Sequence, residues 1–239
     1  MTDDRERKTH NTEPHHRDVS GGRLRPAVFG AMDGLVTNVS LIAGVGGGGG
    51  VRHTVILSGL AGLVAGAFSM ATGEYTSVRS QNELVGAEVE VERSALANHP
   101  REELEELAAS FVQMGVTQDL AIEVATQITK KPDVALQVHA RGELGVDPDE
   151  LPSPIQAAGL SFISFAIGAV VPLVPLLLGA TVLWLSFVVT GVALAVTGGI
   201  VARLTGRPIL VGVVRQVGLA VLAAGVTYAV GRGIGASIS

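Results

Sequence analysis

LAGLVAGAFSMATGEYTSVRSQNELVGAEVE, residues 60–90, begins as membrane sequence and ends as carboxylate-rich soluble sequence, with no proline or glycine pair between its two halves. From His53 to Gly73 there is no Asp, Glu, Lys or Arg, a run long enough to cross the ~30 Å hydrocarbon core as a helix. Glu74, Tyr75 and Arg79 continue the same helical pattern. The spacing therefore predicts one long helix that leaves the bilayer and carries on in water.

What that helix enters is chemically distinct from the rest of the chain. Residues 81–152 hold fifteen Asp and Glu against five Lys and Arg, a net charge of −10, while the remaining residues sum to +5. The whole chain, 239 residues with 47% hydrophobic and 16% charged content, reads as a membrane protein with a soluble module inserted. Absence of cysteine excludes disulfides, thiolate metal sites and a cysteine nucleophile, so any metal must be held by oxygen, imidazole or thioether. The bases are scattered over termini and short loops, which argues against nucleic acid as a partner.

Residues 1–25 read as a mobile polar tail and not a signal peptide, with His10, His15 and His16 solvated. Residues 26–50 form a first span that starts at Pro26, carries one acid, Asp33, and ends in the run Gly46 to Gly50. In the second span Gly62 and Gly66 stand four apart, a spacing that lets helices approach closely. No Asp, Glu, Lys or Arg lies between Glu150 and Arg203, enough for two spans of ~20 residues. These meet at a turn near Gly179, and Pro172 and Pro175 kink the first of them. A fifth span runs from about Pro208 to Gly231 and includes Arg215.

The 81–152 module is helical by pattern. One helix ends at Pro100, a second carries Leu104, Leu107, Ala108 and Phe111 on one face until Gly115, a third starts after Thr117 as N-cap, and a fourth runs from Pro132 to Leu144. The fold expected is an all-α membrane protein with five transmembrane helices and a cytosolic helical metal-binding insert between the second and third. Its domains are a tail at 1–25, transmembrane helices 1–2 at 26–80, the insert at 81–152, and transmembrane helices 3–5 at 153–239. Six bases in the tail, six between residues 79 and 141, and Arg203 with Arg207 face Arg52 and Arg232 on the opposite side. The excess of bases places the N-terminus and insert in the cytoplasm and the C-terminus outside.

A carboxylate at membrane depth costs roughly 2.5–3.5 kcal/mol on insertion scales, which makes Asp33 a functional candidate; the alternative is a structural polar contact, for example with Asn38. Asp33 lies roughly 20 Å below Gly46 and Met70 about 24 Å below Thr54, at 1.5 Å per residue. Both can therefore face one point, with Glu74 one turn beyond Met70. Asp, Met and Glu together suit a first-row transition ion better than Mg²⁺ or Ca²⁺. In the insert, Glu88 and Glu92, Glu102 and Glu106, and Glu103 and Glu106 share helix faces, and His139 and Glu143 stand four apart. Such like-charge pairs destabilise a helix by roughly 0.2–0.5 kcal/mol each, a penalty that a bound cation reverses.

Three stretches, AVFGAMDGLVTNVSLIAGV, LAGLVAGAFSMATGEYTSVRSQNELVGAEVE and HARGELGVDPDELPSPIQAAGLSFISFAIGAVVPLVPLLL, closely resemble the vacuolar iron transporter family, as a bacterial member. The resemblance covers nearly everything from Leu24 to Gly235. It implies a homodimer with five spans per chain, a cytosolic metal-binding domain extending from the second span, and export of cytosolic Fe²⁺ driven by counter-moving protons. By motif, Asp33 and Met70 match the family's membrane ligands, Glu74 sits in its GEY segment, and Glu92, Glu103, Glu106 and Glu143 match acidic ligands of the insert. Two departures from the pattern stand out: Ala95 stands where a further Glu is expected, and His139 with Ala140 replaces a methionine pair.

The expected function is thus proton-coupled Fe²⁺ export through a homodimeric pore in a bacterial plasma membrane. Mn²⁺, Co²⁺ and Zn²⁺ are further cargo candidates, and no prosthetic group or enzymatic activity is expected. Two alternatives are a membrane-tethered carboxylate iron oxidase and a metal-sensing scaffold without flux. The insert lacks the repeated Glu-x-x-His pairs of di-iron oxidases.

Overall fold

The structure is a computed structural model that describes residues 24–238; the tail and its three histidines lie outside the described residues. Every regular element within that range is helical. Helix α1 spans Leu24–Gly47 and α2 spans Arg52–Asn98. The expected continuity of the second span is present: 47 residues of unbroken helix, about 70 Å long. It stops at His99, whose backbone leaves the helical region because Pro100 follows.

Pro100 opens α3 (Pro100–Gln113), and Gly115, at φ +97°, ends that turn of chain. Helix α4 (Gln118–Thr129) begins after Thr117, which has the extended backbone of an N-cap yet makes no side-chain capping bond. Helix α5 covers only Pro132–His139. The helix expected to reach Leu144 changes to a π turn over Ala140–Leu144 and stops at Gly145, φ +66°. Leu107 and Ala108 of α3 pack on Ala121 and Ala125 of α4, with Val138 of α5 closing this small core. Asn82 of α2 donates to the Pro152 carbonyl at 2.9 Å, so the chain leaving the insert is held against the helix that entered it.

Helix α6 (Pro154–Val170) is capped by Ser153 Oγ, which accepts from the Gln156 amide. Pro172 cannot donate to the helix ladder, and residues Val171–Leu173 tighten into a 3₁₀ turn before α7 (Val174–Leu177). Helices α8 (Trp184–Leu204) and α9 (Ile209–Ile238) complete the chain, α9 running past the Gly231 end expected for the fifth span. Among the described residues, five helical segments are long and apolar enough to cross a membrane: α1, the first part of α2, α6 with α7, α8, and α9.

Helix α1 is the centre of the packing, touching α2, α6, α8 and α9. A methyl group on Gly168 of α6 would sit 2.1 Å from the Ala31 carbonyl oxygen, and one on Gly231 of α9 would sit 1.9 Å from that of Gly44. Backbone-to-backbone approach therefore holds α1 to both neighbours. Gly62 and Gly66 of α2 act differently from the expected close crossing: they make room for the side chains of Leu41 and Phe165. Asn38 is fully buried and donates from Nδ2 to the Ala169 carbonyl of α6. It is not the partner of Asp33. At the other end Arg52 donates twice to the Leu176 carbonyl, at 3.1 and 2.6 Å, above buried Ile42, Val55 and Leu173.

Candidate metal centre

Glu92 lies eighteen residues beyond Glu74 on the same helix, about 27 Å along it and beyond the apolar part. The break at His99 and Pro100 folds α3 back beside α2, which brings Glu103 next to Glu92. His139, the last residue of α5, enters from the third side. The π turn begins immediately after it and carries Glu143 to the same point.

His139 Nδ1 lies 3.0 Å from Glu92 Oε1, 3.6 Å from Glu103 Oε2 and 3.2 Å from Glu143 Oε1. One donor atom from each of the four residues falls within 4.8 Å of all the others. The His139 side chain is 2% exposed, Glu92 and Glu103 are each 13% exposed, and Glu143 at 43% forms the open side. Burial pushes the Glu92 carboxyl above its ordinary value; the charge of Glu143 adds to this, His139 opposes it, and Glu103 and Glu106 contribute further. Nδ1 turns toward the carboxylates, while Nε2 is buried with no hydrogen-bond partner among the described residues.

Bonds of about 2.1 Å place neighbouring ligand atoms roughly 3.0 Å apart in octahedral and roughly 3.4 Å apart in tetrahedral coordination. The three distances from His139 fall in that range or just beyond it. The three carboxylates around one point repel one another, and a cation joining them relieves that repulsion. The arrangement is chemically suited to a divalent first-row ion.

The other candidates divide clearly. Glu106 is exposed at the rim and acts on Glu92 through its charge. Glu88 is exposed one turn before Glu92 and outside the cluster. Glu102 points elsewhere and meets His99 Nδ1 at 3.1 Å. Ala95 lines an open groove with Val91 and Asn98 on the outside of α2, and Ala140 is buried at the start of the π turn. Within the membrane segment, Asp33 is half-buried and accepts from Thr37 Oγ1 at 3.3 Å. Met70 packs with Phe162 and Phe165 of α6, and Glu74 is half-buried at the helix exit. Asp33 and Glu74 belong to no group of three acidic or imidazole side chains within ligating range among the described residues.

All four residues that come together in the cluster were among the candidates the sequence offers. The sequence reading missed two positioning roles, Asn38 against α6 and Arg52 against α7. A lone Asn inside an apolar span was the available signal for the first.

A model of the VIT family matches residues 24–232, which take in four of the membrane-length segments whole, most of the fifth, and the Glu92–Glu103–His139–Glu143 cluster. The chain belongs to the VIT family. It is similar to the vacuolar iron transporter of Acanthamoeba castellanii, 38% identical over 227 residues that cover 90% of this chain and 81% of that protein. Vacuolar iron transporter 1 of Oryza sativa subsp. japonica is 28% identical over 229 residues, 95% of this chain and 91% of that protein. Vacuolar iron transporter homolog 2 of Arabidopsis thaliana is 35% identical over 153 residues, 63% of this chain and 51% of that protein. VIT proteins are transporters and not enzymes, which sets the oxidase alternative aside.

Proposed function

We propose that this VIT-family chain is an integral membrane iron transporter that exports cytosolic Fe²⁺ as a proton-coupled homodimer, accepting Mn²⁺ and other divalent first-row ions. The observation that carries this reading is the Glu92–Glu103–His139–Glu143 cluster, built on the aqueous continuation of a membrane helix. On this reading residues 81–152 are a cytosolic metal-binding domain in a bacterial plasma membrane, with the C-terminus outside. The cluster collects Fe²⁺ and strips part of its water. Glu74 receives the ion where α2 enters the bilayer, and Asp33 and Met70 of both protomers bind it at depth. Protonation of Asp33 or Glu74 from the far side weakens that site, because carboxylate ligands bind metal only when deprotonated.

The test is uptake of labelled Fe²⁺ into proteoliposomes with and without an imposed pH gradient, with Mn²⁺ and Zn²⁺ as competitors. Gradient-dependent accumulation is expected. Fe²⁺ binding without any accumulation would favour the sensing scaffold instead.

A further inference from the structure

The ligand set of the cluster is three carboxylates and a single nitrogen, with no sulfur. Met32 is engaged by Gln216 Nε2 at 3.3 Å, Met70 sits in the seam between α2 and α6, and Met114 is 72% exposed at the end of α3. The nitrogen is also carried by the most buried member. His139 is buried between the carboxylates of α2 and α3, whereas Glu143 lies on the open side. Its ring cannot leave without opening the packing among α2, α3 and α5.

Carboxylates alone discriminate poorly among Mg²⁺, Ca²⁺ and Mn²⁺, all of which accept oxygen shells. Imidazole suits Fe, Co, Ni, Cu and Zn, and affinity along the first row rises from Mn²⁺ to Cu²⁺ and falls back at Zn²⁺, still above Mn²⁺. A site with one fixed nitrogen therefore separates these ions from the oxygen-seeking ones through that nitrogen. Absence of sulfur removes the bias that thioether gives toward soft Cu⁺.

Resting on the reading of this cluster as the metal-collecting site, we propose that His139 is its specificity-determining ligand, holding Zn²⁺, Co²⁺ and Fe²⁺ more tightly than Mn²⁺, in the order Co²⁺ above Fe²⁺ above Mn²⁺, and Mg²⁺ most weakly. The cargo class at this site is nitrogen-seeking first-row ions, and Zn²⁺ and Co²⁺ are competitors of Fe²⁺. Glu92, Glu103 and Glu143 supply the charge that any divalent cation would use. His139 supplies the choice.

The experiment is metal titration of the full-length protein in detergent, using Mn²⁺, Fe²⁺ under anaerobic conditions, Co²⁺, Zn²⁺ and Mg²⁺ separately. The wild-type chain is expected to bind Zn²⁺ at least about tenfold more tightly than Mn²⁺, in line with the first-row trend. His139→Gln keeps a polar side chain of similar reach but removes the nitrogen ligand, and should collapse that ratio toward unity by weakening Zn²⁺ most. His139→Asp substitutes a fourth carboxylate and should strengthen Mn²⁺ relative to Zn²⁺. The visible spectrum of bound Co²⁺ must shift in both variants if nitrogen leaves the metal.

An unchanged Zn²⁺ to Mn²⁺ ratio in His139→Gln, or a wild-type site that holds Mn²⁺ as tightly as Zn²⁺, overturns the proposal. Should one variant misfold, as judged by its thermal melt without metal, the other still decides the ratio, and the wild-type order decides it without either. Binding in the stated order without flux in vesicles would sink the transport reading and leave this inference standing. Flux with no selective binding at the cluster would do the reverse.

Discussion

The two carboxylate regions of this molecule are linked by one continuous helix, α2, which carries Glu74 in one and Glu92 in the other, and they are organised in opposite ways. In the 81–152 segment, side chains from α2, α3, α5 and the π turn converge on a point. In the membrane segment, Asp33 is bonded within its own helix to Thr37, while Met70 is packed into an apolar seam. Water explains the difference. A cluster in the aqueous module can carry uncompensated charge because solvent reaches Glu143, whereas several carboxylates gathered in hydrocarbon would each cost several kcal/mol. A single acid is what an apolar span tolerates, and its function must then come from what is brought to it.

The contrast can be broken most decisively at Asp33. Asp33→Asn is expected to reduce Fe²⁺ flux in proteoliposomes to background while leaving the thermal melt nearly unchanged, since its hydrogen-bond partner among the described residues is Thr37 in an exposed contact. Flux at the normal rate would remove Asp33 from the pathway. In the cluster, Glu103→Gln should weaken metal binding by at least about tenfold, given that even supporting groups around a metal cost 10–100-fold. Glu102→Gln, one residue away, should leave binding within experimental error because Glu102 faces His99. Equal effects from the two would mean that α3 presents a different face.

Packing gives the next effect. Gly168→Ala places a methyl 2.1 Å from the Ala31 carbonyl, and overpacking of this kind costs roughly 1–3 kcal/mol. Gly159→Ala in the same helix has nothing within 4 Å of the added methyl and should be silent in the same thermal melt. The smallest effect concerns pH. Glu92 holds its proton above the ordinary carboxylate value of 4.5, so metal affinity should fall as pH drops through its raised range. Stability of the metal-free module should change in the opposite sense. The contribution from Glu92 is fully present below its unfolded value and is lost as pH rises through the folded one. Chelator-treated protein melted across this range should therefore lose stability as pH increases toward neutral.

Spans and cluster were legible in the sequence to different depths. Five charge-poor runs, bounded by glycine, proline and arginine, are local signals, and so is the absence of any proline or glycine pair between Gly73 and Asn98. Helical spacing also paired His139 with Glu143. It could not decide between Glu88 and Glu92, or between Glu102 and Glu103. That choice depends on the angle at which α3 folds back at Pro100, which is set by Leu107 and Ala108 meeting α4. The π turn was invisible for the same reason: ARGEL contains no breaker after its glycine. Its chain is instead held by Arg141 bonding to Asp147 and Gln137 bonding to Asp149. Asp33 was found because it breaks hydropathy, but no pattern could say that Asn38 would reach α6 rather than Asp33.

The uninterrupted length of α2 has a mechanical consequence. A rod pivoting where it leaves the membrane at Glu74 carries Glu92 at a radius of about 27 Å, so a tilt of only about 6° sweeps Glu92 through about 3 Å. His139 sits on α5, which packs against α2, and Asn82 ties the exit of the insert to the same helix, so the four side chains ride on the rod together. Small changes of inclination are therefore magnified into displacement of the whole cluster relative to the apolar part of the helix.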